Sequence, residues 1–485
     1  MQSRRCPIGP SAATFSESAA GSSPEFPDSE SAAGFSPVFP DDSPLRRPDK
    51  KSIIALGARV GRDVAIPRAS GSSPSDHRQQ TSRTPTSHFK EKKLNSLMKN
   101  EISQWRDNPK DDFLGGLVSA FSVIPEVVGF TIIAGVNPML GLYTSVAFLI
   151  LSAFLGGRPA MVSAGAGSMA LVVVALIAEY GTEYLFAAVF LAGIFQLIMG
   201  LCKVGRLIKY IPQCVMTGFV DSLAIIIFMS QIKNALGGGL TMYALVAAGI
   251  VIVYLFPRIT KAVPSTLIAI IVVTAASVFL GLTTTSIGDM GNMTAALPDV
   301  HLPTLLLSLE TWKIVLPYSI SLAFVGLIET LLTQQVVDQM TETTSDTNRE
   351  SCSQGITNMV CGCIGGMPGC AMIGQAIVNV KSGGRGRLST LVAGVVLIAV
   401  LGFGSGLLNI IPLAALIGVM ITVSIATFDW DSLRSLKDQS PLEILTTLLT
   451  VVIVVATNNL AYGVAAGLAL YYAGGFAAKA FVRAS

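Results

Sequence analysis

Charge is scarce in this sequence. Only 13% of its 485 residues are Asp, Glu, Lys or Arg, against about 25% in soluble domains. That scarcity excludes a soluble globular enzyme and a disordered chain. A formal net charge of +3 is too small for an electrostatic partner of nucleic acid. Histidine is nearly missing, and three residues do not supply an imidazole-based metal site. Seven unevenly placed cysteines do not make a disulfide scaffold. No apolar h-region marks the N-terminal stretch, so no secretory signal is expected. What is abundant is apolar: 51% of residues are hydrophobic and the mean hydropathy is +0.62. These values predict an all-α, multi-pass membrane protein.

Residues 1–110 stand apart from the rest. They are rich in Ser, Pro, Arg and Asp, and their longest aliphatic run is Ile53-Ile54-Ala55-Leu56. The hexapeptide starting at Ser16 recurs at Ser29, and Pro24 and Pro27 recur as Pro37 and Pro40. Such a stretch cannot bury enough apolar surface to offset its ordering entropy, so a disordered tail is expected. Plentiful Ser and Arg would suit a plastid or mitochondrial transit peptide. Glu17, Glu25, Asp28, Glu30, Asp41 and Asp42 argue against one, because such peptides are poor in acids. The plasma membrane is the expected location, with a plastid membrane as the alternative. Lys90, Lys92, Lys93 and Lys99 lead into the apolar part.

Residues 111–478 are apolar runs broken by short Gly, Pro, Lys and Arg punctuation, and 479–485 form a short tail. A span needs roughly 17–25 apolar residues. Fourteen spans are predicted: 113–133, 138–156, 161–179, 182–202, 211–233, 240–257, 263–281, 314–336, 352–365, 369–380, 388–404, 410–427, 441–457 and 460–477. Twelve Lys and Arg fall in connections after even-numbered spans, from Arg158 to Lys437. Only Lys233 and Lys313 follow odd-numbered ones. Since cytoplasmic loops carry the excess of Lys and Arg, this asymmetry fits an even number of spans with both ends on one side.

The two halves, about 111–285 and 310–478, resemble each other weakly and in order. Gly156-Gly157-Arg158-Pro159 precedes the third span, and Gly365-Gly366-Met367-Pro368 the tenth. Pro212 to Gly218 opens the fifth span, and Pro412 to Gly418 the twelfth. Seven spans per half is odd, so the second half enters from the opposite side. Two inverted repeats, a common transporter architecture, are therefore expected. Corresponding interrupted segments in such halves point to a midplane binding site. A helix beginning inside the membrane presents unpaired N–H groups and the positive end of its dipole. Two such ends attract an anion without a buried Lys or Arg. The anion site is accordingly expected between Ala166, Gly167 and Ser168 and Ala371, Met372 and Ile373. The alternative is close Gly/Ala helix packing.

Glu126, Asp221 and Glu329 fall inside predicted spans, and intramembrane acids are functional candidates by default. Thr333 follows Glu329 by one turn on the same face. Carboxylate and hydroxyl together suit a hard cation or a proton. Glu126 is a candidate support, and Asp221 suits a structural bond between spans. Gln375 is able to bond an oxyanion, with Asn379 one turn further along the tenth span. Cys361, Cys363 and Cys370 lie among Gly and apolar residues and read as packing. Lys381 to Arg387 lacks the Gly-Lys-Ser/Thr ending of a phosphate loop and reads as a basic turn.

At these motifs the sequence resembles the SulP anion permeases, the sulfate permease and solute-carrier-26 group. The matching stretches are IPEVVGFTIIAGVNPMLGLYTS (124–145), GGRPAMVSAGAGSMALVV (156–173), IPQCVMTGFVDSLAIIIFMSQI (211–232), GLIETLLTQQVVDQMT (326–341) and GGMPGCAMIGQAIVNVKSGGRGRLSTL (365–391). The resemblance implies fourteen spans in two inverted repeats of seven, a core domain moving against a gate domain, and short strands before half-helices three and ten. It implies that Glu329 and Thr333 match the acidic residue and Thr that hold sodium in the cyanobacterial bicarbonate members. It also implies that the backbone at Ala371, Met372 and Ile373 matches their anion-contacting turn. Gln375 stands where many members have Arg, and Ile373 where the bicarbonate members have Thr. The soluble STAS domain usual after the last span is not expected.

The expected function is secondary active transport of a sulfate-like inorganic anion by alternating access. Sodium-dependent bicarbonate transport is the alternative, and a nucleobase carrier or an anion channel stand behind it. No enzyme activity, no metal site and no cofactor are expected beyond Na+ or H+ as coupling ion. The expected partners are the small anion and the bilayer; a homodimer is left open, and nucleic acid is not expected.

Overall fold

Proline and glycine punctuate the helices much as hydropathy suggests. The computed structural model describes residues 101–484, leaving aside 261–262, 283, 291–297, 299, 435–438 and 458, and the side chains of 207–209, 290, 306–307, 405 and 477–484. The tail expectation for 1–100 therefore lies outside the described residues. Residues 101–106 are helical. Helix α1 (Pro109–Ala134) then starts on a proline, which suits a first turn because its missing N–H has no intrahelical acceptor there. It stops at Gly135, whose φ of 75° a side-chain residue rarely adopts. Helix α2 (Pro138–Leu155) also opens on proline, capped by the Asn137 side chain accepting from the Met139 N–H at 2.9 Å.

A three-residue strand, β1 (Ser163–Gly165), leads into α3 (Gly167–Tyr180) and α4 (Thr182–Leu201). Then follow α5 (Gln213–Ala235), α6 (Gly239–Leu255) and α7 (Ser265–Phe279). Helix α8 (Leu309–Thr341) has 33 residues and so runs about 50 Å at 1.5 Å per residue. Its apolar part alone was visible as the span 314–336; the helix continues past both ends. Next come α9 (Thr347–Cys363), β2 (Gly369–Ala371) and α10 (Ile373–Lys381). The series closes with α11 (Arg387–Asn409), α12 (Leu413–Thr427), α13 (Pro441–Thr457) and α14 (Leu460–Ala484). Each of the expected apolar segments overlaps one of these helices.

By length and composition, seven described helices can cross a membrane: α1, α2, α4, α5, α6 with its 3-10 extension, α8 and most of α11. Shorter apolar helices include α3, α7, α12 and α13. The expected ninth span, 352–365, is a longer helix than hydropathy suggested. Its first turn, with Asn348, Arg349 and Glu350, is polar and is capped by Asp346, which accepts from Asn348 N at 2.9 Å.

The helices sort into two packed sets. In one, α9 lies along α4, α11 along α1 and α2, and α8 against α4 and α3. In the other, α13 lies between α5 and α14, and α12 packs on α5 and α6. Close approach within the first set depends on Gly193 and Gly355. A Cβ at Gly193 would stand 2.6 Å from the Gly355 carbonyl oxygen, and one at Gly355 would stand 2.5 Å from Leu197 N. Small residues that let helix backbones touch replace the missing hydrophobic drive between helices in lipid. The sets meet where α12 and α7 touch α1.

Candidate functional site

The two interrupted segments meet through backbone pairing. β1 and β2 are antiparallel, with Ser163 opposite Ala371, Ala164 opposite Cys370 and Gly165 opposite Gly369. Met372 N adds a bond to Val162 O at 3.0 Å. Buried strand backbone must find partners, and two such short stretches find them in each other. Because the strands run antiparallel, the helices that follow them start at opposite ends of this ribbon.

Both helices are too short for an apolar layer of about 30 Å: α3 has 14 residues and α10 has nine. Neither has a side-chain cap. The residues before them, Ala166 and Met372, are extended and offer no side-chain acceptor. The first following backbone bonds run from Ala170 N to Ala166 O and from Ala376 N to Met372 O, each 2.9 Å. The N–H groups of Gly167, Ser168 and Met169, and of Ile373, Gly374 and Gln375, lie ahead of those bonds. A Cβ at Gly374 would meet nothing within 4 Å, so open space adjoins the start of α10. At the start of α3 the space is filled instead: a Cβ on Gly167 would stand 2.5 Å from Phe130 Cε1.

Helix α8 brings its acid to this junction. Glu329 is 7% exposed, and its carboxyl accepts from the Ser168 hydroxyl and, at 3.2 Å, from the Cys370 thiol. Thr333 Oγ1 donates to Glu329 O at 2.8 Å and lies 3.3 Å from Ala371 O. Thr330 Oγ1 accepts from Ala371 N at 3.1 Å. The Glu329 carboxyl with the Ser168 hydroxyl, and the Thr333 hydroxyl with the main-chain carbonyls of Glu329 and Ala371, make up a buried polar junction. It abuts the strand that precedes α10. Thr330 and Phe130 were not singled out by sequence reasoning, and Cys370 was weighed only as a packing residue. Thr330 was the most accessible of them, since it neighbours Glu329. Cys370 looked like packing because nothing in its local sequence shows that β2 lies against α8.

The remaining candidates divide. Gln375 Nε2 donates to Glu126 Oε2 and, at 3.3 Å, to Ser122 O, so this amide is already committed to α1. Its Oε1 is buried and, among the described residues, unpaired. Glu126 is thus joined to α10 through Gln375. Asn379 donates to Ala160 O and to Ser389 Oγ, both at 2.9 Å, and ties the far end of α10 to its surroundings. Asp221 accepts from Asp429 N at 2.9 Å and Ser432 Oγ at 3.3 Å, a link between α5 and the segment after α12. A further buried amide, Asn358, clamps Gly369 from α9, accepting from its N–H at 3.1 Å and donating to its carbonyl at 3.0 Å. Among the described residues no group of three His, Cys, Asp or Glu is placed to hold a metal ion.

Comparison with known proteins follows the same residues. The model of the sulfate permease family matches residues 110–245 and 238–450. YbaR of Bacillus subtilis (strain 168), which carries the name "Putative sulfate transporter", is 50% identical over 367 residues, covering 76% of this chain and 77% of its own length. Bicarbonate transporter BicA of Picosynechococcus sp. is 29% identical over 366 residues, covering 69% of this chain and 64% of its own. The solved transmembrane domain of a cyanobacterial BicA superposes with a TM-score of 0.67 at 28% identity, covering 74% of this chain and 97% of that one. Murine Slc26a9 in its inward-facing state shares the fold, with a TM-score of 0.68 at 18% identity over 85% of this chain and 77% of its own.

Proposed function

The chain belongs to the sulfate permease family, and on that premise we propose a secondary active transporter of small inorganic oxyanions, with sulfate as the first candidate. That it is an integral membrane protein, a transporter and not an enzyme follows from the family. Substrate, coupling and mechanism are the proposal. The observation that carries it is the junction itself: β1 and β2 pair into one short ribbon from whose two ends α3 and α10 start, with the Glu329 carboxyl bound to Ser168 and Cys370.

The anion is held by first-turn N–H groups of Gly167 and Ser168 on one side and of Ile373 and Gly374 on the other, with Ala166, Ala371 and Met372 shaping the turn. Both dipoles present their positive ends to it. Gln375 ties Glu126 to α10 by donating to it. An ionised Glu329 beside this pocket repels an incoming anion. A cation held by Glu329, the Thr333 hydroxyl and the Ala371 carbonyl reverses that sign. In a site of low effective dielectric such a reversal is worth far more than in water. Anion and cation thereby raise each other's affinity, which is a coupling free energy and reciprocal. Sodium suits an all-oxygen cluster of this kind; a proton on Glu329 achieves the same neutralisation.

In this reading all fourteen helices are membrane segments in two inverted sets of seven, α1–α7 and α8–α14. The packed set α1–α4 with α8–α11 is the moving core, and α5–α7 with α12–α14 is the gate. The antiparallel ribbon supports the inversion, because two equivalent strands from inverted repeats pair in that way. Bicarbonate with sodium is the second reading, favoured by the likeness to the BicA proteins. The test is uptake of radiolabelled sulfate into proteoliposomes, with bicarbonate, nitrate and chloride competing, with and without a sodium gradient. Saturable, exchangeable uptake that sulfate inhibits best is the expected result. Unsaturable flux would reject a carrier, and preferential inhibition by bicarbonate would favour the second reading.

A further inference from the structure

A cavity of about 710 Å³ opens at one end of the helix bundle. It is lined by the C-terminal parts of α1, α3, α5 and α13 and by the N-terminal parts of α8 and α14, so its walls come from both packed sets. Its inner wall includes Leu171 and Val172, one turn along α3 from Gly167. Ser230, Ser321, Thr457 and Asn459 are polar members of the lining. Among the described residues Lys233 is the single charged member of the lining, and no carboxylate joins it. Lys233 is exposed and, among the described residues, has no ion pair.

The end of the bundle matters. At the end of the bundle where the odd-numbered helices finish, the sequence places only two basic residues, Lys233 in the last turn of α5 and Lys313 near the start of α8, so this is the non-cytoplasmic end by the excess of positive charge on the other. Lys313 does not line the cavity. One of the two positive charges on an otherwise cation-poor face thus points into a crevice whose walls are largely apolar. Low-dielectric walls concentrate the field of such a charge and raise the local concentration of a counter-ion.

We propose that Lys233 is the residue that captures inorganic oxyanions at the non-cytoplasmic mouth and passes them toward the start of α3. This deepens the transport reading and rests on it. The test is initial-rate uptake by right-side-out vesicles containing the full chain, comparing wild type, K233Q, K233R and K313Q at low and high ionic strength. K233Q is expected to raise KM about three- to tenfold at low salt with the maximal rate held within about twofold. The difference should shrink near 0.3 M salt, about where screening falls below the cavity's own dimensions. K233R and K313Q should keep the wild-type KM. K233C should regain it after treatment with a membrane-impermeant cationic thiol reagent that leaves wild type unaltered. A K233Q KM equal to that of K313Q, or a shift that salt does not reduce, would overturn the proposal while leaving the transport reading intact. Wild-type vesicles that take up none of sulfate, bicarbonate, nitrate or chloride would overturn both.

Discussion

A methyl group at residue 167 has nowhere to go. Built on the observed backbone, it would lie 2.5, 2.8 and 2.9 Å from Cε1, Cδ1 and Cζ of Phe130. The Phe130 ring is 3% exposed and sits in the core of the bundle, so it cannot swing clear without displacing its neighbours. Gly167 does not have a positive φ; in open space Gly167→Ala would therefore gain up to about 1 kcal/mol from reduced backbone freedom. Overpacking costs about 1–3 kcal/mol, and the net expectation is a loss of about 1–2 kcal/mol in stability. The same displacement moves the first-turn N–H groups of α3. Losing one hydrogen bond to a charged ligand costs about 1.5–3 kcal/mol, which is roughly tenfold to a hundredfold in affinity. The assay is a double-mutant cycle with Phe130→Leu, read by apparent melting in detergent and by subsaturating sulfate uptake. A smaller ring replacement should make room, so G167A should cost about 1 kcal/mol less in the F130L background. Uptake should partly return there. Strictly additive melting shifts, or wild-type uptake by G167A alone, would refute the claim that Phe130 packed on Gly167 fixes the start of α3.

Three other perturbations test the same geometry. Glu329→Gln keeps the acceptor for Ser168 and Cys370 but removes the charge, so sodium or proton stimulation of uptake should vanish while the protein remains folded; unchanged cation dependence would remove Glu329 from the mechanism. Thr330→Val leaves the buried Ala371 N–H without its acceptor and should cost about 1–3 kcal/mol in thermal stability, with a drop in anion affinity because β2 loosens; wild-type melting would show that Ala371 finds another partner. Outside the membrane segments, burial raises the Glu101 pKa, but the hydrogen bond from Arg349 and the charges of Arg387 and Arg349 outweigh it and hold the carboxyl below its ordinary value of 4.5. A depressed carboxylate contributes stability above its unfolded pKa and loses it as pH falls through the folded one. Glu101→Gln should therefore lower the melting midpoint at pH 7, by no more than about 1 kcal/mol after solvent screening. That difference should disappear as the pH drops below 4.5; a difference that persisted in acid would have another cause.

Glu329 and Thr333 could be paired from sequence alone, because four residues along a helix is one turn. Gly167 and Ile373 could be named as helix starts because Gly and Pro interrupt the hydropathy just before each. Their mutual distance could not be read, since the two positions lie more than 200 residues apart and meet only through the β1–β2 ribbon. Ser168 illustrates the limit: the sequence suggested an anion contact at this residue but not that its hydroxyl binds Glu329. Gln375 is similar. Its type suggested an oxyanion donor, but its amide spans to Glu126 on α1, a partner that no local pattern discloses.

Sequence by itself determined the solvent of this protein. An apolar excess with few charges must be buried in lipid, and the helical period, prolines and glycines set where each segment starts and stops. Those are local properties of the chain, decided by hydration and backbone sterics. Tertiary structure decided which broken segments face each other, which hydroxyls reach the acid of α8, and that Lys233 rather than Lys313 looks into the crevice. Each of those outcomes depends on how helices far apart in the chain pack side by side, and packing is a property of pairs of surfaces that neither segment carries alone.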